Sequence, residues 1–362
     1  MVIPWTGPQR IAVVPVFNEQ VDPVPADDWR HAVGTRVYYD PVGADGFDAS
    51  LQNYIQAISY GQASISGHVF PVVRSPDADV TGAAMRSLPA GHGYTMVLAV
   101  LPHSFGPHRG GAGWFGVPPL NGITAFARVA MFEDPAMTRR QRIGVWAMEI
   151  VHAVADMGDL YLVQPNLGSF DMMAAPTANS HPSAYTKRLL GWVPPAAVHT
   201  HTTRSAVYDL HAIALRQPPP PGRVTAVRMW GRASGNRFWA EARLGLDPYD
   251  RRDFNGDGIP SEGVIVYEVA GEIDVYLRTP QALTVGQSYG SDAEDFRLSV
   301  TASITGGFRI AVRVPSLDRR PVLPEKLDEL LELYDRADTA PERRQLRVEI
   351  GQLQSLLREQ QC

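Results

Sequence analysis

Glu149 and His152 stand three residues apart in the stretch Arg142 to Ala155, RIGVWAMEIVHAVA. The stretch has no β-alternation and is apolar on nearly every face, so it reads as a helix buried all round. Three-residue spacing places the carboxylate and the imidazole on one face of that helix. Burying either group is costly unless it is paired or bound to a metal. Two explanations are open. The side chains bond each other or nearby backbone, or they serve a metal ion and the water it activates.

In the zinc-peptidase pattern HExxH, two histidines one helical turn apart bind the metal and the glutamate activates its water. Here the segment is Met148-Glu149-Ile150-Val151-His152, with a weak thioether donor at the first histidine position. Downstream follow Asp156-Met157-Gly158-Asp159-Leu160-Tyr161 and Gly168-Ser169-Phe170-Asp171-Met172-Met173-Ala174. Then come Pro182-Ser183-Ala184-Tyr185-Thr186-Lys187 and Leu190-Gly191-Trp192. In this order the chain resembles the immune inhibitor A type of secreted bacterial metallopeptidase. That family's pattern is HExxHxxGxxD-L-Y, a W-D-x-M-A Met-turn, and an S-A-W-x-K segment ending in L-G-W. Tyr54 to Gly61 is similar to its upstream S-Y-G stretch, and Phe238 to Arg243 and Gly263 to Val269 are similar to two of its β-domain strands. The resemblance covers residues 10 to 275.

The resemblance implies roles residue by residue. His152 matches the second zinc ligand, Glu149 the general base, and Met173 the Met-turn methionine beneath the metal. Met148 occupies the first ligand's place and cannot take its role. The third ligand, an Asp, is expected at position 158, which holds Gly158; Asp159 heads the same D-L-Y triplet after a one-residue insertion. The family's turn glycine is replaced by Ala155, which implies a different turn out of the helix. A catalytic zinc normally takes three protein ligands and leaves one position for water, and the match supplies only His152 and Asp159. The replacement donors expected are His103 and His108, in or beside the Gly/Pro-rich loop upstream, whose other reading is as solvated loop histidines.

The expected function is therefore a metallopeptidase-like protein with an incomplete zinc site, impaired or inactive, that binds a peptide or protein. One alternative is an active zinc endopeptidase with Glu149 as base and a rearranged metal site. Another is an assembly protein that self-associates through its C-terminal helices. The family's members act outside the cell, but the start MVIPWTGPQRIAVVPVF shows no basic segment followed by a continuous apolar one, so no signal peptide is expected in this chain.

Other constellations carry weaker signals. Asp253-Phe254-Asn255-Gly256-Asp257 places oxygen donors at alternate positions before Gly258, a spacing suited to calcium, with Glu262 or Asp250 completing the shell. Its other reading is a polar Asx-turn between strands. Gly286-Gln287-Ser288-Tyr289-Gly290 fits the GxSxG elbow of serine hydrolases, but the polar stretch after it is not a helix. His199 and His201 share a face of a short strand and read as a surface pair. Trp114 and Phe115 read as loop anchors, with cleft residues as the alternative.

Around these residues the elements alternate. Arg10 to Phe17, Ser64 to Val73 and Thr95 to Leu101 read as strands, Ala49 to Ser59 as a helix, and Ser104 to Pro119 as a long Gly/Pro/His-rich loop. Past Pro194 short alternating strands follow: Ala206 to Leu215, Arg223 to Trp230, Phe238 to Leu244, Gly263 to Val269, Arg297 to Ile304 and Phe308 to Val314. Leucines at three- and four-residue intervals from Pro324 to Gln361, with Pro341 opening a second helix, predict a helical hairpin. The expected class is α+β: a zincin-like domain over 1–195, an all-β sandwich-like domain over 196–318, and the hairpin over 319–362.

The chain has 362 residues, 44% hydrophobic and 20% charged, which is ordinary globular usage. A net charge of -5 with scattered Lys and Arg gives no field for nucleic acid. The longest apolar run, Met96 to Leu101, is far short of the roughly 18 to 20 residues that span a bilayer. The single cysteine, Cys362, excludes an intrachain disulfide and a cysteine-ligated metal site.

Overall fold

Buried parallel strands read as continuous apolar runs because helices cover both their faces, and the runs at Ile11 and Met96 are of this kind. The computed structural model describes residues 2–22, 24–42, 47–103, 111–132, 141–231, 233–252 and 257–314; the expected hairpin over 319–362 lies outside them. Its first half comprises β1 (Gly7–Asn18), α1 (Trp29–Tyr38), β2 (Pro41–Val42), β3 (Phe47–Asp48), α2 (Leu51–Ile58), β4 (Ala63–Val69), β5 (Val73–Ser75), α3 (Val80–Arg86), β6 (Met96–His103), β7 (Ala112–Trp114), β8 (Ala125–Phe132), α4 (Gln141–Ala155) and α5 (Ala184–Leu189).

The first sheet runs β4-β1-β6-β8-β7, with β5 also on β1. All its pairs are parallel except β7 with β8, which is antiparallel. Side chains of β1 alternate between two cores. Ile11 and Val13 pack with α1, α2 and α4, while Ala12, Val14 and Val16 pack with α3. The β7 strand corrects the sequence expectation of a loop through Pro119. Three residues with a glycine at the centre are too few to display an alternating pattern. The expected strand Ser64 to Val73 is likewise divided into β4 and β5.

The second half adds β9 (Val198–Thr200), β10 (Ser205–His211), β11 (Arg223–Val224), β12 (Ala226–Trp230), β13 (Arg237–Arg243), β14 (Gly263–Val269), β15 (Val275–Leu277), β16 (Ser288–Ser291), β17 (Phe296–Ile304) and β18 (Gly307–Arg313). They form two five-stranded sheets, β11-β10-β18-β17-β16 and β15-β14-β13-β12-β9. Leu210, Leu298 and Ile310 from one meet Val227, Ala240 and Val266 from the other in a shared core. The opposite face of the β13–β14 sheet is also buried. Trp239, Ile265 and Tyr267 join the core that holds Trp146, Met148 and Phe170 from the first half. The whole is a mixed α/β molecule in which the two halves share apolar contacts across residue 195.

The same face of β13 carries Glu241 and Arg243, both fully buried. Arg243 donates to Glu241 Oε1 (3.1 Å), Asp250 Oδ1 (2.9 Å), and the carbonyls of Phe170 (2.8 Å) and His181 (3.0 Å). Glu241 Oε2 accepts from the Ala184 amide (2.6 Å) and the Tyr267 hydroxyl (2.8 Å). Asp171, also fully buried, accepts from the Met173 and Ser183 amides and the Thr186 hydroxyl. Lys187 Nζ lies 2.7 Å from His181 Nδ1 and 3.9 Å from the centre of the Tyr60 ring. Burial drives the Lys187 pKa well below the ordinary lysine value, against the pull of Asp250. Buried charges of this kind persist because each has partners fixed by the fold.

Candidate functional site

The apolar helix expected around Glu149 is α4, and part of its surface reaches a cleft. Glu149 and His152 line that cleft, whose volume is about 390 Å³, together with Gly111 to Phe115 from β7 and its flanks and Asp156 to Asp159 and Tyr161 beyond the helix. The β7 strand is the end of its sheet, so its outer edge has no strand partner among the described residues. Two glycines allow it to lie directly on α4. A β-carbon at Gly113 would stand 2.1 Å from the Glu149 carbonyl oxygen and 2.7 Å from the His152 β-carbon.

The turn out of α4 brings the Asp159 segment back to His152. Ala155 remains helical, and Asp156 takes the left-handed conformation (φ 52°) with its amide donating to the His152 carbonyl (3.2 Å). Aspartate is among the few side chains that tolerate this region. The left-handed residue therefore precedes Asp159 by three positions, the spacing that separates turn glycine from aspartate in the HExxHxxGxxD pattern. With the helix running to Ala155 and the turn at Asp156, Asp159 is the residue that comes to His152.

His152 Nε2 stands 3.0 Å from Asp159 Oδ1, and its Nδ1 lies 2.5 Å from the Met157 carbonyl. Burial alone would lower the His152 pKa, but Asp159, the Met157 carbonyl and Glu149 outweigh it and raise the value above that of an ordinary histidine. Burial would raise Asp159, and the hydrogen bonds from His152 and Tyr161 reverse this and lower it. The Tyr161 phenol is pushed up by burial, by its bond to Asp159 and by the Glu149 charge. Behind the cleft, the Leu160 amide donates to the Met173 carbonyl (3.0 Å), which ties the Asp159 segment to the turn containing Met173. Met173 is fully buried.

Met148 is 6% exposed, packed in the core, and is not among the described residues that line the cleft. His103, considered in the sequence as a replacement donor, instead faces Asp22 at 3.5 Å from the end of β6. It pairs in register with Phe132, four residues along β8 from the Arg128 position beside β7, or roughly 13 Å at strand rise. His108 lies outside the described residues. Among the described residues, no group of three or more His, Cys, Asp or Glu side chains is placed to hold a metal ion. The two convergent donors among the described residues, His152 and Asp159, are fewer than the three that a catalytic zinc requires.

The remaining expectations divide. Asp253 and Asn255 lie outside the described residues; Asp257 is fully buried, while Glu262 is exposed and accepts from the Gly245 amide (2.8 Å). Asp250, the other candidate for that shell, is held by Arg243. Ser288 begins β16, which pairs antiparallel with β17, so no helix follows it as an elbow requires. His201 corrects the surface-pair reading, because it is only 3% exposed and its Nδ1 lies 2.8 Å from the Tyr208 hydroxyl. His199 packs on the same tyrosine, ring centres 4.9 Å apart. Trp114 and Phe115 are 60% and 44% exposed and line the cleft, the alternative given for them above.

No protein-family model matches the chain, and a search of curated proteins finds no significant match.

Proposed function

We propose that this chain is a metallopeptidase-like protein of the zincin type whose cleft binds an extended polypeptide along β7 without hydrolysing it. The observation that carries this reading is the placement of Glu149, His152 and Asp159 beneath β7, an antiparallel strand whose outer edge has no strand partner among the described residues, while Met148 is packed into the core. An exposed edge offers backbone donors and acceptors that an extended peptide can satisfy as an added strand. The carboxylate of Glu149 lies where it would meet the bound backbone, but with two donors beside it the described residues offer no complete centre to supply an activated water. The residual chemistry is polar recognition.

The test pairs metal content with polypeptide binding. Untagged protein purified without chelator is expected to hold much less than one zinc per chain and to bind unfolded casein without cleaving it. Near-stoichiometric zinc lost on His152→Ala, with casein cleavage lost on Glu149→Gln, would overturn this reading in favour of a working peptidase. Failure to bind unfolded casein would remove the binding reading as well.

A further inference from the structure

One short segment holds both nitrogens of the His152 ring. The Met157 carbonyl lies 2.5 Å from Nδ1 and the Asp159 carboxylate 3.0 Å from Nε2, so Gly158 sits at the middle of the grip. What stands behind Gly158 comes from the other half of the molecule. A β-carbon at Gly158 would be 2.9 Å from Cγ2 of Ile273, and the next nearest atoms, at 3.8 and 3.9 Å, belong to the same side chain. The backbone at Gly158 is not left-handed, so this contact, rather than backbone conformation, leaves room only for glycine. We infer that Ile273, in the turn between β14 and β15, is a positioning residue for the cleft: it backs the segment from Met157 to Asp159 and thereby sets the orientation of the His152 ring. The arrangement is independent of what the cleft binds.

The turn is built to hold Ile273 in place. The Ala270 amide donates to the Asp274 carbonyl (3.0 Å), and the Val275 amide to the Ile273 carbonyl (3.1 Å). From α5, the Tyr185 hydroxyl donates to the carbonyls of Gly271 (3.4 Å) and Glu272 (3.2 Å), which pins the turn to the first half. Ile273 packs against the core that includes Met157, Leu160, Val269 and Val275, and a β-branched side chain has little freedom to swing its γ-carbon away. Beyond the grip the chain is tied twice more, by the Leu160 amide to the Met173 carbonyl (3.0 Å) and by the Leu277 amide to the Pro165 carbonyl (2.8 Å). The described lining residues of the cleft all come from the first half, yet one of its walls is braced by the second. The consequence for His152 is specific. A carbonyl only accepts, so Met157 keeps a proton on Nδ1, and a displaced Met157 would release that bond.

The experiment uses the full chain labelled with 15N-histidine, in which the Nδ1 proton signal of His152 is assigned by its absence from His152→Ala, alongside urea unfolding. Ile273→Val keeps both γ-carbons and is expected to leave the His152 signal where wild type has it. Ile273→Ala removes the Cγ2 that backs Gly158, and the signal is expected to shift upfield and to exchange faster with water. Gly158→Ala alone is expected to displace it as well. Combining the two returns a methyl to the space that Cγ2 left and is expected to recover most of the wild-type signal, a coupling that independent sites do not show. Ile265→Ala truncates the same core from within β14 and is expected to lower the urea midpoint without moving the signal. An unchanged signal in Ile273→Ala, in protein whose urea midpoint has fallen, would overturn the inference and leave Ile273 a packing residue. So would an equal displacement by Ile265→Ala. If Ile273→Ala does not fold, Gly158→Ala, which removes no atom, decides by the same signal. Casein binding is measured separately, so the peptide-binding reading and this one fail independently.

Discussion

Gly113 lies against the backbone of Glu149 so closely that a β-carbon at 113 would stand 2.1 Å from the Glu149 carbonyl oxygen. The strand that forms the cleft roof and the helix that forms its floor are in contact through this glycine. Gly113→Ala is therefore expected to lift β7 and destabilise the protein by about 1 to 3 kcal/mol, the usual cost of overpacking. Gly111 meets the movable Glu149 carboxylate instead, with Oε1 at 2.2 Å from a β-carbon there. Gly111→Ala is expected to cost less stability and to weaken casein binding. Urea unfolding and a casein-binding assay on the two variants check both statements.

Met148→His tests the carry-over of ligand roles. Its backbone is one helical turn before His152, so a histidine there that turned toward the cleft would give a third donor with His152 and Asp159. The folded variant is expected to gain close to one zinc per chain by elemental analysis and to lose it again when His152→Ala is added. A correctly folded variant without zinc would mean that α4 does not present position 148 to the cleft. Calcium read in the same analysis reports on Asp253, Asn255 and Asp257.

Arg243 joins β13 to the carbonyls of Phe170 and His181 while pairing with Glu241 and Asp250, all out of contact with water. Arg243→Ala would leave two buried carboxylates without their cation. The expected loss is about 3 to 5 kcal/mol, measurable as a fall in the urea midpoint. A loss below about 1 kcal/mol would mean that these contacts are not maintained in solution.

Asp247 titrates far below an ordinary carboxylate. Burial opposes this, but His181 and the amides of Asp250 and Tyr249 outweigh it. A folded-state pKa below the unfolded value means that the carboxylate stabilises the fold above the ordinary Asp range, near pH 4, and that this contribution is lost as pH falls through the folded value. Wild type is expected to exceed Asp247→Asn in stability at pH 7, with the gap closing in acid below about pH 4. A gap independent of pH between 7 and 3 would contradict the assignment.

Much of this was legible in the sequence where one physical cause dominated. A helix apolar on nearly every face announced α4 by length and composition, whereas β14, read as one of the short alternating strands, is buried on both faces. The β7 strand was not legible, because three residues around a glycine carry no period, although it forms the cleft roof. Asp159 could be paired with His152 only by assuming an insertion. The pairing depends on a helix that runs to Ala155 and on a left-handed Asp156, which no pattern of residue types specifies. Lys187 and Arg243 were the least visible of all. Charged residues ordinarily mark a surface, and only the packing of α5 and β13 reveals that these are interior.

The residues that brace the molecule, Asp171, Lys187, Glu241 and Arg243, are separate from the cleft-lining set of Glu149, His152, Asp156 and Asp159. Architecture and reactivity are thus under independent mutational control. A substitution in the groove can therefore change what it holds while these four buried residues keep the scaffold in place.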